Sequence, residues 1–178
     1  MARGPQHILD EWLVVCAQAG DRLALNRLLQ RWHPKLLRYA ARQIGDREVA
    51  RDVAQECLYT LAKDIRKLKD PIAFPKWAYL ILHRRACDWI KQQRRHRHKG
   101  DEKSEIGFES YNHDHKLIQQ GLRQLEREHY LTVYFFYLEE FSLHEISIIM
   151  DVPVGTVKSR LFKARSQLKQ LLEEDHYE

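Results

Sequence analysis

Residues 141–165 read FSLHEISIIMDVPVGTVKSRLFKAR and contain the strongest motif of the chain. Ser142 and Glu145 have the spacing of a capping box, in which each side chain accepts a hydrogen bond from the backbone amide of the other residue at the start of a helix. Residues 151–153 end in a proline and predict a short turn, because proline cannot continue a helix. The helical period returns at residue 154. The stretch therefore predicts a helix-turn-helix.

The second helix of this motif separates its residues into two faces. Val157, Leu161, Ala164 and Leu168 recur at helical spacing and are predicted to pack inward. Hydroxyl and basic side chains remain outside, and such a helix is suited to the major groove of DNA, where these groups reach base edges and phosphates. A basic run can also be the solvated face of an ordinary bundle, but the capping box, the short turn and the small residue Gly155 favour DNA binding. The outward-facing residues are Thr156, Lys158, Ser159, Arg160, Phe162, Lys163 and Arg165.

The N-terminal half also has a helical period, which three breaks interrupt. Pro34 predicts a kink or a restarted helix, because proline removes a backbone hydrogen bond. Gly45 followed by Asp46 predicts a helix stop and a new N-cap. Pro71 breaks the pattern again, and a further helix is predicted from residue 74 to about residue 93. The helix after Asp46 is predicted to bury one stripe, formed by Val49, Val53, Cys57, Leu61 and Ile65.

Composition and length indicate two small helical domains. The 178 residues include 7 Gly and 5 Pro, too few for the many turns of an all-β fold. Residues 98–115 are polar and contain few large apolar side chains, which is typical of a linker. We therefore predict an all-α protein with domains at residues 8–97 and 116–175, joined by a flexible linker at 98–115. In the second domain, the apolar run 130–138 is predicted to be a buried core helix, since it is too short to span a membrane.

Charge and hydropathy indicate a cytoplasmic protein with a polyanionic partner. The net charge is +5, which favours polyanionic partners such as nucleic acid, although many basic proteins bind none. No apolar run approaches the roughly 20 residues of a membrane span. The first residues do not lead into the apolar core of a signal peptide. We therefore expect no membrane insertion.

Metal-binding and catalytic patterns are absent from the sequence. Cys16, Cys57 and Cys87 are far apart and form no paired motif, so we expect buried free thiols. The chain has no glycine-rich phosphate loop and no recognisable catalytic order of serine, histidine and aspartate. We therefore expect no cofactor and no enzymatic activity. Four histidines in and beside the linker lack cysteines at ligand spacing, which argues against zinc: His96, His98, His113 and His115.

Residues 148–165 resemble region 4 of the extracytoplasmic-function (ECF) sigma factors of bacterial RNA polymerase. In that family, region 4 binds the −35 promoter element. The resemblance implies that the outward-facing residues of the second helix, from Thr156 to Arg165, are the −35 contacts. The family often has an arginine where this chain has Phe136.

Residues 45–56 are similar to the most recognisable signature of sigma region 2. Asp52, Gln55 and Glu56 are spaced to share one exposed helix face. In the family this face binds the coiled-coil clamp helices of the polymerase β′ subunit, and an acidic, polar patch suits basic side chains of a partner. A solvated helix face is the alternative interpretation of these three residues taken alone. With the surrounding match, the resemblance favours the interface.

Residues 74–90 resemble the part of region 2 that recognises and opens the −10 element. Opening DNA costs stacking and pairing energy, which a protein offsets with pockets for unstacked bases, stacking aromatics and phosphate contacts. Some aromatic side chains here must belong to the core, and Trp77 is the foremost candidate. The family commonly carries asparagine at the position of Arg84. The residues implied in −10 binding are Trp77, Tyr79, His83, Arg84, Arg85, Asp88, Lys91, Arg94 and Arg95.

Together these resemblances cover nearly the whole chain and imply an ECF sigma factor. Such a protein binds core RNA polymerase through the β′ clamp helices and the β flap, directs it to promoter DNA, and commonly has an anti-sigma factor as a further partner. Two other classes stay open: an autonomous helix-turn-helix repressor or activator that dimerises on a two-fold operator, and a helical protein-interaction adaptor. A repressor has no need of the acidic face at residues 52–56, and an adaptor would lack salt-dependent DNA affinity.

Overall fold

The structure, a computed structural model, describes residues 5–96 and 121–174 of the chain. The chain divides into two compact units, Met1–Ile106 and Gly107–Glu178. All regular elements within the described ranges are helical, which confirms the predicted all-α class. The predicted linker at 98–115, with His98, His113 and His115, lies outside the described residues, so the domain bounds 8–97 and 116–175 stay a prediction. No helix in the two described ranges is long and apolar enough to cross a membrane.

The first unit is a bundle of four helices. They are α1 (Pro5–Gln18), α2 (Arg22–Ile44), α3 (Arg47–Asp64) and α4 (Phe74–His96), with short 3₁₀ turns at Ile65–Lys67 and Pro71–Ala73. Gly45 ends α2 with φ +85°, a left-handed conformation that favours glycine. The Asp46 carboxylate then accepts hydrogen bonds from the amides of Glu48 and Val49 at the start of α3. The predicted helix stop and N-cap at residues 45–46 are therefore confirmed.

The helix α2 continues through Pro34, so of the two predicted outcomes the restarted helix is wrong and the kink stays a prediction. Proline removes one backbone hydrogen bond, but the buried face of α2 is the same before and after it. Leu28 and Trp32 precede the proline on this face, and Leu36 and Tyr39 follow it, all almost fully buried. Tertiary packing on both sides therefore holds the helix together across the missing bond.

Aromatic side chains form the centre of the core of the first unit. The rings of Phe74 and Tyr79 lie edge-on to Trp32, with centroid distances of 5.2 and 5.6 Å. The predicted stripe of α3 joins this core, except that its first member, Val49, is only half-buried. The α3 stripe thus faces α2 and α4, and the opposite side of α3 remains exposed.

The three cysteines form no disulfide, and only one is buried. Cys57 is fully buried beneath α4, where its Sγ lies 3.7 Å from the carbonyl oxygen of Ala78. Cys16 and Cys87 are half-buried, so the prediction of a buried thiol is wrong for both. Both cysteines fit an apolar helical period, but such a period does not place every one of its members in the core.

The second unit contains the predicted helix-turn-helix. After a helical turn at residues 121–124, its elements are α5 (Arg127–Val133), a π-helical turn (Tyr134–Leu138), α6 (Leu143–Met150) and α7 (Val154–Glu174). Both bonds of the capping box are formed at the start of α6: the amide of Ser142 donates to Oε2 of Glu145 at 3.0 Å, and the amide of Glu145 donates to Oγ of Ser142 at 3.2 Å. Asp151 ends α6 in the left-handed conformation. The predicted motif is therefore confirmed.

The apolar run 130–138 is a core helix only in its first part. Tyr130, Leu131 and Phe135 are buried, but Tyr137 and Leu138 are 52% and 65% exposed. The α-helix passes into the π-helical turn at Tyr134, which rotates the last residues away from the core. The predicted burial is therefore wrong for the end of the run.

Candidate nucleic-acid interface

The two faces of α7 separate as the sequence predicts. Val157, Leu161 and Ala164 are buried against α5 and α6, while Leu168 is half-buried. The other side of the helix is open to solvent and carries hydroxyl, aromatic and basic groups. Its exposed members are Lys158, Ser159, Phe162, Lys163 and Arg165.

Two of the predicted −35 residues are not fully presented on this face. Thr156 is half-buried in the first turn of α7, where its carbonyl oxygen accepts a hydrogen bond from Oγ of Ser159 at 3.0 Å. The guanidinium of Arg160 forms an ion pair with Glu128 of α5, and the Arg160 side chain is 16% exposed. Arg160 therefore joins α7 to α5 in the free protein, and its predicted role as a DNA contact stays a prediction.

Arg165 is held by two aromatic residues that sequence reasoning did not select. Its Nε donates a hydrogen bond to the hydroxyl oxygen of Tyr137 at 2.7 Å. The guanidinium carbon also lies 5.6 Å from the ring centre of Phe136 and 5.5 Å from that of Tyr137, within the range of cation–π attraction. No local pattern could reveal this contact, because the residues are 28 positions apart and a π-helical turn sets their direction.

Asp52, Gln55 and Glu56 are all exposed and lie on adjacent turns of α3, opposite its buried stripe. Glu56 is also paired within the chain, because Nη1 of Arg85 in α4 lies 2.6 Å from its Oε2. Nη2 of Arg85 donates a second hydrogen bond to Oγ1 of Thr60 at 2.8 Å. The predicted polymerase face on α3 and the predicted DNA face on α4 are therefore neighbours.

The predicted −10 residues of α4 divide between its surface and its core. Trp77 is half-buried, with its ring edge-on to Phe74 at a centroid distance of 6.0 Å. Arg85 is half-buried by its contacts with α3. Arg94 lies in α4, but its side chain is outside the described part of the structure. The exposed members are Arg84, Asp88, Lys91 and Arg95.

The predicted DNA contacts of Tyr79 and His83 are wrong. Tyr79 is fully buried, and its ring packs edge-on against Trp32 and Tyr39. His83 is 8% exposed, and its Nδ1 lies 2.6 Å from the hydroxyl oxygen of Tyr39. The two residues are one helical turn apart on the face of α4 that packs against α2, so burial, not base recognition, accounts for them.

A buried thiol, that of Cys57, lies between α3 and α4, the helices that carry the predicted polymerase face and the predicted DNA face. Burial raises the pKa of Cys57 to about 12, while the positive charge of Arg85 acts in the opposite direction. The thiol is therefore protonated near neutral pH and is a small apolar core residue. Within residues 5–96 and 121–174, no group of three or more His, Cys, Asp or Glu side chains could hold a metal ion.

Comparisons with known proteins cover both units. Two family models match: Sigma-70 region 2 over residues 28–96, and Sigma-70, region 4 over residues 115–168. The RNA polymerase sigma-H factor of Pseudomonas aeruginosa is 27% identical, over 92% of this chain and 94% of the relative. The ECF RNA polymerase sigma-E factor of Escherichia coli is 29% identical, also over 92% and 94%.

A solved structure agrees in fold. The sigma factor RpoE of Bartonella quintana, in complex with the anti-sigma factor NepR, has a TM-score of 0.68 at 19% identity, over 83% of this chain and 96% of that one. The chain therefore belongs to the sigma-70 family of RNA polymerase sigma factors, within its ECF group. Its function is to direct promoter-specific transcription, and its family is one of non-catalytic, DNA-binding transcription factors. The family predicted from sequence is confirmed.

Proposed function

We propose that the exposed face of α7 binds the −35 promoter element. The observation that carries this proposal is the clean division of α7, whose apolar residues are buried while its basic and hydroxyl residues are exposed. A helix that follows a tight turn and presents such groups fits the major groove, where lysine and arginine neutralise phosphates and read guanine edges. Thr156 belongs at the edge of this surface, and Arg160 stays a predicted contact that is paired with Glu128 in the free protein. The proposed contacts are Lys158, Ser159, Phe162, Lys163 and Arg165.

The exposed side of α4 is our proposed −10 surface. It combines basic groups, which neutralise phosphates, with the accessible part of the Trp77 ring, on which an unstacked base can stack. Arg94 keeps its predicted role as a further basic contact. The proposed members with described side chains are Trp77, Arg84, Arg85, Asp88, Lys91 and Arg95.

Asp52, Gln55 and Glu56 form the proposed surface for the β′ clamp helices of core polymerase. All three are exposed, and the buried stripe of α3 leaves them without a role in the core. Acidic and amide groups at the surface steer and orient a basic partner more than they stabilise the fold. The second unit is proposed to contact the β flap.

Three further properties belong to the same proposal. The protein acts in the cytoplasm, where RNA polymerase is found, and has no catalytic site or cofactor. It is also regulated by an anti-sigma factor. The RpoE protein of Bartonella quintana, which shares this fold, was solved with the anti-sigma factor NepR, and this supports a partner of the same class.

The experiment is reconstitution with purified core RNA polymerase, followed by run-off transcription on a promoter library. Stable association with polymerase and promoter-selective transcripts are the expected results. Association without selective transcripts would contradict the proposed DNA surfaces. Absence of association, combined with tight binding of a two-fold operator by the chain alone, would instead indicate an autonomous repressor.

A further inference from the structure

Tyr137 belongs to a π-helical turn that several hydrogen bonds hold in place. The hydroxyl of Tyr134 donates to Oε1 of the buried Glu139 at 2.9 Å, and the amide of Glu139 donates to the carbonyl oxygen of Tyr134 at 3.2 Å. The amide of Phe141 donates to the carbonyl oxygen of Phe135 at 3.0 Å. These bonds anchor both ends of the turn in the core of the second unit. π-Helical turns are rare and occur frequently at functional sites.

The turn directs two aromatic rings toward the exposed side of α7. The rings of Phe136 and Tyr137 are 5.0 Å apart and nearly perpendicular, at 81°. Arg165 lies against both of them, and its Nε is bonded to the Tyr137 hydroxyl. We call Phe136 and Tyr137 the aromatic bracket. Because its two residues come from a turn anchored in the core, the bracket restricts where the guanidinium can lie.

The hydroxyl of Tyr137 occupies the Nε side of the guanidinium, and the edge formed by the two Nη groups is left available. The two Nη groups of Arg165 make no hydrogen bond to any residue of the described part of the chain. Lys158, Arg160 and Lys163 differ from Arg165, because none of them is both available and oriented. Arg160 is paired with Glu128, and Lys158 and Lys163 are exposed without a side-chain partner in the described ranges. Of these four basic residues, Arg165 is thus the one that is exposed and whose side chain is also held in a fixed orientation.

We propose that Tyr137 is a positioning residue for DNA binding, which presents the Nη edge of Arg165 to a DNA phosphate. This inference rests on the proposed function of α7. A guanidinium fork matches the geometry of phosphate oxygens, and a side chain that is already oriented loses less conformational freedom on binding. Aromatic contact also keeps the guanidinium close to the helix surface. Without Tyr137, Arg165 would keep only its contact with the Phe136 ring and would reach the same phosphate as a less restricted side chain.

The test measures binding of the reconstituted holoenzyme to a labelled promoter duplex selected in the library experiment, over a range of salt concentrations. Tyr137→Phe keeps the ring but removes the hydroxyl that accepts from Arg165, and Tyr137→Ala removes both. Leu138→Ala is the matched control, because Leu138 is exposed in the same turn. We expect affinity to fall about 2- to 3-fold for Tyr137→Phe, about 3- to 10-fold for Tyr137→Ala, and not at all for the control.

A double-mutant cycle separates positioning from a general structural role. Arg165→Ala should lower the slope of log K against log salt by about one, as the loss of one phosphate contact requires. In the Arg165→Ala background, Tyr137→Ala should cause no further loss, because its only proposed route to DNA is then gone. If Tyr137→Ala fails to fold by circular dichroism, the same cycle is measured with Tyr137→Phe.

The possible failures are distinguishable. Unchanged affinity in both Tyr137 variants would overturn the inference, and so would a loss that persists in the Arg165→Ala background. The proposed function of α7 has a separate indicator, because Lys158→Ala with Lys163→Ala weakens DNA binding whether or not Tyr137 acts on Arg165. If that variant binds promoter duplex normally, the proposed −35 surface itself is wrong.

Discussion

Glu56 of α3 and Arg85 of α4 form an ion pair, with 2.6 Å between Oε2 and Nη1. The family resemblance implies different partners for these residues, core polymerase for Glu56 and −10 DNA for Arg85. Both side chains are partly solvated, at 65% and 37% exposure, so the pair stabilises the free protein by less than about 1 kcal/mol. A basic group of the polymerase or a DNA phosphate can therefore displace either member. Loss of the Glu56 contact would leave Arg85 with its hydrogen bond to Thr60 and without its ionic partner.

Glu56→Gln tests this competition in the protein without polymerase. Loss of the carboxylate charge frees Arg85 from its ionic partner, and we expect the affinity of the chain alone for duplex DNA to rise about 2- to 5-fold. Fluorescence anisotropy at low salt measures it. Glu48→Gln removes the same charge from an exposed position of α3 and is the control. An equal rise in both variants would show that net charge, not the release of Arg85, is responsible.

Asp52→Ala with Glu56→Ala should weaken binding to core polymerase. Both carboxylates are exposed on one face of α3, and removal of rim charges in an interface mainly slows association and lowers its salt dependence. We expect about a 10-fold loss in a competition assay against a labelled sigma factor. Glu48→Ala serves as the charge control. Unchanged affinity of the double variant would refute the assignment of this surface.

Lys158→Ala with Lys163→Ala should reduce transcription from the cognate promoter by about 10-fold or more, while polymerase association stays intact. Each lysine that neutralises a phosphate contributes about one unit to the salt slope of DNA binding, so the slope should fall by about two. Arg22→Ala with Arg27→Ala removes two exposed charges from α2 and tests for a charge effect alone. Loss of polymerase association in the lysine variant would contradict the division of roles between the units.

Ser142→Ala should destabilise the second unit by about 1 kcal/mol, because α6 loses one bond of its capping box. Urea unfolding followed by far-ultraviolet circular dichroism measures the change. Ser147→Ala is the control, since its hydroxyl donates only to the carbonyl oxygen of His144 within α6. The tryptophans, at positions 12, 32, 77 and 89, all belong to the first unit. Their fluorescence transition should therefore not move, and a shift in it would show that the variant acts elsewhere.

Cys57 should resist thiol reagents in the folded protein. Its raised pKa keeps the thiol protonated between pH 7 and 9, and burial excludes the reagent. Alkylation followed by peptide mass spectrometry should modify Cys16 and Cys87 first, and Cys57 only after unfolding. The thiol also binds its proton more tightly when folded, so its contribution to stability is complete below pH 9 and falls as the pH rises toward 12. Rapid native labelling of Cys57 at pH 8 would contradict its position in the core.

The sequence by itself determined the helical class, the helix-turn-helix and the family. These features depend on local rules: the capping box at Ser142 and Glu145, the stop at Gly45, and the periodic burial of Val157 and Leu161. Each rule involves residues within a turn or two of one another. The spacing of residues in the sequence is sufficient to predict such short-range features, because the geometry of a helix is the same wherever it occurs.

Only the tertiary structure decided which side chains of a helix are available to a partner. Tyr79 and His83 carry suitable chemistry for DNA, yet their side of α4 packs against α2. Arg160 has the charge of a DNA contact, yet Glu128 holds it. Tyr137 came from an apolar run and reaches Arg165 because a π-helical turn rotates it outward. Packing between elements distant in sequence sets these outcomes, and the pattern within one helix does not contain that information.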